Sequence, residues 1–166
     1  MNVFILRHGI AVEPGAPGYE NDDERPLMPK GRSQLHKIAA AIRAMELRFD
    51  LILSSPLVRA RQTAEIVAAD LKVERRLAFA DELRPGGDPK RLVQKINALK
   101  PKPENIMLVG HEPGLSRLIS LFTTGETDAG MVLKKGGLAK LEMEKLRAGK
   151  CAALAWLLTP AQMKLM

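Results

Sequence analysis

The sequence predicts an α/β fold: a three-layer α/β/α sandwich around a mostly parallel sheet, with an antiparallel hairpin at its C-terminal edge. Three short apolar runs, Val3 to Leu6, Asp50 to Leu53 and Asn105 to Val109, each end at polar residues and alternate with segments of helical periodicity. That is the pattern of strands buried on both faces beneath layers of helices. Near the C-terminus, two strand-like segments face each other across a turn, as in a hairpin at a sheet edge. The length of 166 residues and the absence of a repeat or linker fit a single domain over residues 1–166, within the usual domain range.

Val3 to Leu6 is the first strand and runs into Arg7-His8-Gly9. Gly9 to Leu27 is rich in Gly, Pro, Asp and Glu and is predicted to be a long loop, a type that is usually functional or mobile. Pro29 suits a first helical position, and Leu35, Ile38, Ile42 and Met45 recur at helical spacing. The second strand leads into Ser54-Ser55-Pro56, with Ser55 predicted to cap a helix starting at Pro56. Ala60, Ala64, Val67 and Leu71 form that helix's apolar stripe, and a weak strand lies near Val73 to Phe79. Asp88-Pro89 starts a further helix with Leu92, Val93, Ile96 and Leu99 facing inward. The third strand ends at Gly110-His111, before a helix from about Leu115 to Phe122. Ala139, Leu141 and Met143 alternate with charged residues, and Lys150 to Leu158 returns across a turn around Arg147-Ala148-Gly149.

Apolar residues at 46% supply a core, and charged residues at 27% with no low-complexity stretch exclude a disordered chain. Aromatics are scarce, with Trp156 the one large exception. Cys151 is the sole cysteine and is expected to act as a small buried hydrophobe. The initial apolar run is far shorter than a signal h-region, and no segment reaches the roughly 18 apolar residues of a membrane helix. A cytoplasmic setting without membrane contact is therefore expected. The net charge of +7 favours anionic partners. No basic stretch is interleaved with aromatics, so no nucleic-acid partner is expected.

In a parallel sheet, ligands bind beyond the carboxyl ends of the strands. The residues to weigh are therefore Arg7-His8-Gly9, Ser54-Ser55 and Gly110-His111-Glu112. His8 and His111 each follow a strand and so converge on one rim, and Arg7 adds a planar cation suited to phosphate oxygens. Arg59 and Arg61 lie in the first turns of a helix, where backbone N–H groups already favour an anion. Two residues apart, they point about 200° from each other, so one reaches the site; periodicity does not say which. His36 is expected on a helix surface, Asp22-Asp23-Glu24 in a solvated loop, and Lys134-Lys135 as a solvated pair.

Taken together, these segments resemble the histidine phosphatase superfamily. The resemblance rests on Arg7-His8-Gly9, on Ser54-Ser55-Pro56 with Arg59-Ala60 and Gln62-Thr63-Ala64, and on Val109-Gly110-His111. Within that superfamily the chain is similar to the short SixA-type phosphohistidine phosphatases. Arg25-Pro26-Leu27 before a Gly31-containing helix start, Glu82-Leu83 with Pro85 and Gly87-Asp88, and Gly110-His111-Glu112-Pro113 carry that likeness over nearly the whole chain. One departure is Met28, where a Thr or Ser cap is usual; its lack costs about 1 kcal/mol of capping.

The resemblance implies a phosphoglycerate mutase-like fold in which His8 accepts the phosphoryl group while Arg7, Arg59 and His111 bind its oxygens. It offers Glu82 as a proton donor and Arg25 as a further phosphate contact closing from the long loop. Such a reaction suits these residue types. A neutral imidazole with one nitrogen tied by a hydrogen bond can attack phosphorus, and cations around the equatorial oxygens stabilise the transferring group. No metal or other cofactor is required. The implied substrate is a phosphorylated protein bearing phosphohistidine, since only two segments, Gly9 to Leu27 and Ala80 to Asp88, can cover the rim. The alternatives are a phosphatase of a small-molecule or phosphoprotein ester, and a non-catalytic phosphate-binding adaptor domain.

Overall fold

The computed structural model describes residues 1–166. Six strands, β1 (Asn2–Arg7), β2 (Leu51–Ser54), β3 (Leu77–Phe79), β4 (Asn105–Gly110), β5 (Leu138–Glu142) and β6 (Ala153–Leu158), form one sheet in the order β3-β2-β4-β1-β5-β6. The β1–β4, β4–β2 and β2–β3 pairs are parallel, whereas β5 runs antiparallel to β1 and β6 to β5. The helices are α1 (Pro29–Ala44), α2 (Val58–Asp70), α3 (Pro89–Ala98), α4 (Gly114–Thr124) and a short α5 (Pro160–Met163). This is the mostly parallel sandwich with a C-terminal edge hairpin that the sequence predicts.

The continuous apolar runs reflect burial on both sheet faces. Val3 and Ile5 of β1, with Ile106 and Leu108 of β4, pack into the layer that holds Leu92, Ile96, Leu118 and Phe122 of α3 and α4. Phe4 and Leu6, with Met107 and Val109, pack into the opposite layer against Leu35, Ile38, Ala64 and Val67 of α1 and α2. Successive strand residues point to opposite faces, so neither face has room for a polar position. Phe4 meets Phe49 edge-on at 5.0 Å, and Trp156 of β6 lies 6.1 Å from the same ring.

The register sets where the site forms. Arg7 pairs with Gly110, and Ser54 pairs with Val109. His8 and His111, one step later, therefore leave the sheet at one level, and Ser55 leaves it one residue earlier, level with Gly110.

Several boundaries differ from the sequence expectation. Helix α2 starts at Val58 rather than Pro56, with no side-chain cap at Leu57. The Ser55 hydroxyl is instead shared between the Leu57 N–H and His111. Strand β6 starts at Ala153, because the Cys151 and Ala152 N–H groups both donate to the Phe122 carbonyl and tie that segment to α4. Cys151 is only half-buried. Residues Glu74–Arg76 form a 3-10 turn, leaving β3 as Leu77–Phe79. Met28 gives α1 no side-chain cap, and Pro29 stands in the first turn, where its missing N–H costs nothing.

Helix α1 approaches the loop after β1 closely. A Cβ at Gly31 would sit 2.1 Å from the Ile10 carbonyl oxygen, so only glycine lets the helix start seat there. The same carbonyl accepts the Met28 N–H. The segment that follows His8 is thereby fixed against α1.

Candidate active site

His8 is the most constrained residue of the rim. Its backbone N–H donates to the Gly110 carbonyl of β4, and the Gly136 N–H is shared between the Arg7 and His8 carbonyls, 3.1 Å from each. Gly136 has φ +78°, a conformation that favours glycine. The Gly9 N–H donates to Thr63 Oγ1 at 3.0 Å, and that hydroxyl donates to the Arg59 carbonyl at 2.7 Å. The first turn of α2 thus holds the loop of His8 through Thr63.

The His8 Nδ1–H donates to the Gly9 carbonyl at 2.8 Å, which leaves the lone pair on Nε2. Burial pushes the His8 pKa down to about 3. The Gly9 bond opposes that shift, while the nearby Arg59, Arg7 and Lys135 charges add to it. The imidazole is therefore neutral at physiological pH.

His111 lies beside it, with ring centroids 5.2 Å apart. Its Nε2 is 2.9 Å from Ser55 Oγ, while Nδ1 is buried with no partner. Burial, then the charges of Arg59 and His8, lower its pKa to about 3. Between about pH 3 and 6.5 the unfolded chain binds protons that these two native histidines exclude. Stability is therefore full above pH 6.5 and falls as the pH is lowered, by roughly 1 kcal/mol per pH unit for each histidine. Urea unfolding near neutrality and at about pH 5.5 measures this loss, and a His8→Asn variant is expected to show a shallower dependence.

Arg7 donates through Nη1 to the Leu133 carbonyl at 2.9 Å, and its Nε is buried and unpaired. Burial lowers its pKa, and Glu112 opposes this. Arg59 donates through Nη1 to the Asp22 carbonyl at 2.7 Å and through Nη2 to Asp22 Oδ2 at 2.9 Å. Its Nε is also buried and unpaired. The open choice between the two arginines of α2 resolves here. Arg59 is buried, whereas the Arg61 side chain is 47% exposed and faces Glu65.

Two other residues expected at the site take different parts. Arg25 is buried, but its Nε and Nη2 both contact Asp22 Oδ1, at 2.8 and 2.7 Å, and its Nη1 donates to the Val12 carbonyl. Every one of its nitrogens has a partner within the loop, so Arg25 braces the loop against Asp22 and Val12. Glu82 borders a small cavity with His111, but its Oε2 accepts from Lys95 Nζ at 2.7 Å. That bond holds the carboxyl below its ordinary pKa, and an ionised carboxylate has no proton to give.

The acidic run is not a free solvated loop. Asn21 caps a 3-10 turn at Asp22–Glu24, Asp22 joins Arg25 to Arg59, and Asp23 pairs with Arg84 at 2.9 Å. His36 lies on the surface of α1, 2.7 Å from Asp70. No local pattern points to Asp22 or Gly136 as parts of the site. Ser55 follows a strand and was among the residues to weigh, and Thr63 lies four residues after Arg59 and so on the same helix face.

Residues 3–84 match the model of the histidine phosphatase superfamily, branch 1. The chain is 26% identical over 166 residues to the phosphohistidine phosphatase SixA of Escherichia coli, covering 99% of this chain and 98% of that protein. It is 34% identical over 142 residues to an uncharacterized protein of Picosynechococcus, covering 85% and 84%. A structure of the protein histidine phosphatase SixA with tungstate superposes at a TM-score of 0.83, with 25% identity over 97% of this chain and 98% of that one. The putative phosphohistidine phosphatase SixA of Agrobacterium tumefaciens superposes at 0.76, with 27% identity over 96% and 97%.

Proposed function

Since the chain belongs to the histidine phosphatase superfamily and is a hydrolase of that superfamily, we propose that it dephosphorylates phosphohistidine on a signalling protein through a covalent phosphohistidine on His8. The observation that carries this reading is a set of buried donors with nothing to bind. Arg7 Nε, Arg59 Nε and His111 Nδ1 lack partners, and all three residues surround a neutral His8. A buried unpaired polar group costs about 1–3 kcal/mol, and such a cost gathered at one place marks a ligand position. The equatorial oxygens of a transferring phosphoryl group offer the three acceptors these donors need.

In the proposed reaction the Nε2 lone pair of His8 attacks phosphorus in line with the substrate's P–N bond. That bond breaks, its electron pair returns to the substrate imidazole, and Arg7, Arg59 and His111 hold the three oxygens. With the Ser55 hydroxyl donating to Nε2 of His111, the Nδ1–H of His111 points its charge-stabilising donor at an oxygen. Water then attacks the phosphorus on His8, inorganic phosphate leaves, and the neutral imidazole is restored. The Gly9 carbonyl steadies the Nδ1–H of His8 through both steps.

The state of Glu82 bears on the substrate. An alkoxide leaving group needs a positioned proton, and the nearby carboxylate is held ionised by Lys95. A phosphoimidazole protonated from solvent leaves as a neutral ring and needs no such donor. Phosphate release from a phosphohistidine protein is therefore expected to exceed that from phosphoserine, aryl phosphate or sugar phosphate by at least about tenfold in kcat/KM. A preference for any ester would replace the proposed substrate, and tight phosphate binding without turnover would make the chain an adaptor. The proposed setting is cytoplasmic: Cys151 is a free thiol, and no helix is long and apolar enough to cross a membrane.

A further inference from the structure

We infer that Asp22 is a positioning residue: backed by Arg25, it sets the orientation in which Arg59 presents Nε–H to the phosphoryl group. This inference rests on the reading of Arg59 as a phosphoryl ligand. Two acceptors of one residue, the Asp22 carbonyl and Oδ2, take the two Nη groups of Arg59 at 2.7 and 2.9 Å. Two bonds along one edge of a planar guanidinium fix its roll, and the remaining Nε–H, buried and unpaired, is left for the ligand. Oδ1 is held separately by Arg25 at 2.7 and 2.8 Å, so the carboxylate cannot turn away from Arg59 without breaking both sets of bonds.

The turn itself is pinned on two sides. Arg25 donates to the Val12 carbonyl, and Arg84 joins Asp23 at 2.9 Å to Asp81 at 2.8 Å. Asp22 thus reaches Arg59 from a loop tied to both neighbouring segments.

The opposing reading makes Asp22 a plug, an internal anion that the substrate must displace. Two observations weigh against it. The Asp22 side chain is 52% exposed and so sits outside the buried donors. Asp22 also occupies only the two Nη groups of Arg59 and leaves Nε of Arg59 and Nε of Arg7 unpaired, where an anion filling the ligand position would satisfy them.

The test is a double-mutant cycle on tungstate affinity, measured by calorimetry with the full chain, alongside kcat/KM on a phosphohistidine protein. Asp22→Ala is expected to weaken tungstate binding and lower kcat/KM by about tenfold each. In an Arg59→Ala background the same change is expected to do almost nothing, because the oriented group is gone. Tighter tungstate binding by Asp22→Ala would establish the plug and overturn the inference. Equal losses in both backgrounds would reduce Asp22 to a tether of the loop and overturn it too, whatever happens to the melting temperature. If Arg59→Ala alone leaves tungstate binding unchanged, the reading of the phosphate site fails first.

Discussion

Replacing His8 with alanine is expected to lower phosphate release by at least about 10⁴-fold, the scale on which enzymes lose rate when a covalent nucleophile is removed. No other group nearby can take its place. His111 has its Nε2 engaged by Ser55, and its neutral ring is the donor of the proposed site. The direct measurement is acid-labile label retained on the wild-type chain after brief exposure to a radiolabelled phosphohistidine protein, and absent from His8→Ala. Full turnover by the variant would end the covalent scheme. Because His8 is buried and bonded to Gly9, His8→Asn is the better control for folding: it keeps a side-chain donor but cannot accept phosphorus.

The second large effect is expected at Arg59. Arg59→Ala removes a buried donor aimed at the transferring group, a loss typically worth about 3–4 kcal/mol, or 10²–10³ in rate. Lysine is not expected to restore it. One ammonium cannot span the two Asp22 acceptors and also supply the Nε–H edge. Arg61→Ala, two residues away, is expected to stay within about twofold of wild type, since its half-exposed side chain meets only Glu65. Steady-state kinetics of the three variants on one phosphorylated protein compares them directly.

The contrast between these two arginines shows what the sequence could reveal. Helical geometry places Arg59 and Arg61 on different sides of α2, but the facing side depends on which flank of the sheet α2 covers, a tertiary fact. His8 and His111 were legible because strand ends in a parallel sheet share a rim, and the register of β1 on β4 makes them level. The apolar runs were legible because burial on both faces leaves no polar position. The parts that were not legible are loop residues. Asp22 meets Arg59 across 37 positions of sequence, and no local pattern announces a partner so far away. Arg25 and Glu82 matched a family pattern by type, but a neighbouring opposite charge, Asp22 for one and Lys95 for the other, decides what each can do. Ser55 was in the right place for a helix cap, and the geometry of Pro56 and Leu57 moved the helix start beyond it.

The loop before β5 ties the first strand to a late part of the chain. Gly136 and Gly137 bond the backbone of Arg7, and Leu133 receives the Arg7 guanidinium across 126 positions. On the ribosome, at roughly 5–20 residues per second, the backbone that locks the proposed nucleophile emerges many seconds after it. A nascent chain could pair β1 with β4 before then, but Arg7 would still lack both its carbonyl anchor and its glycine N–H. The proposed site is thus incomplete until residues 133–137 have been made and dock against Arg7.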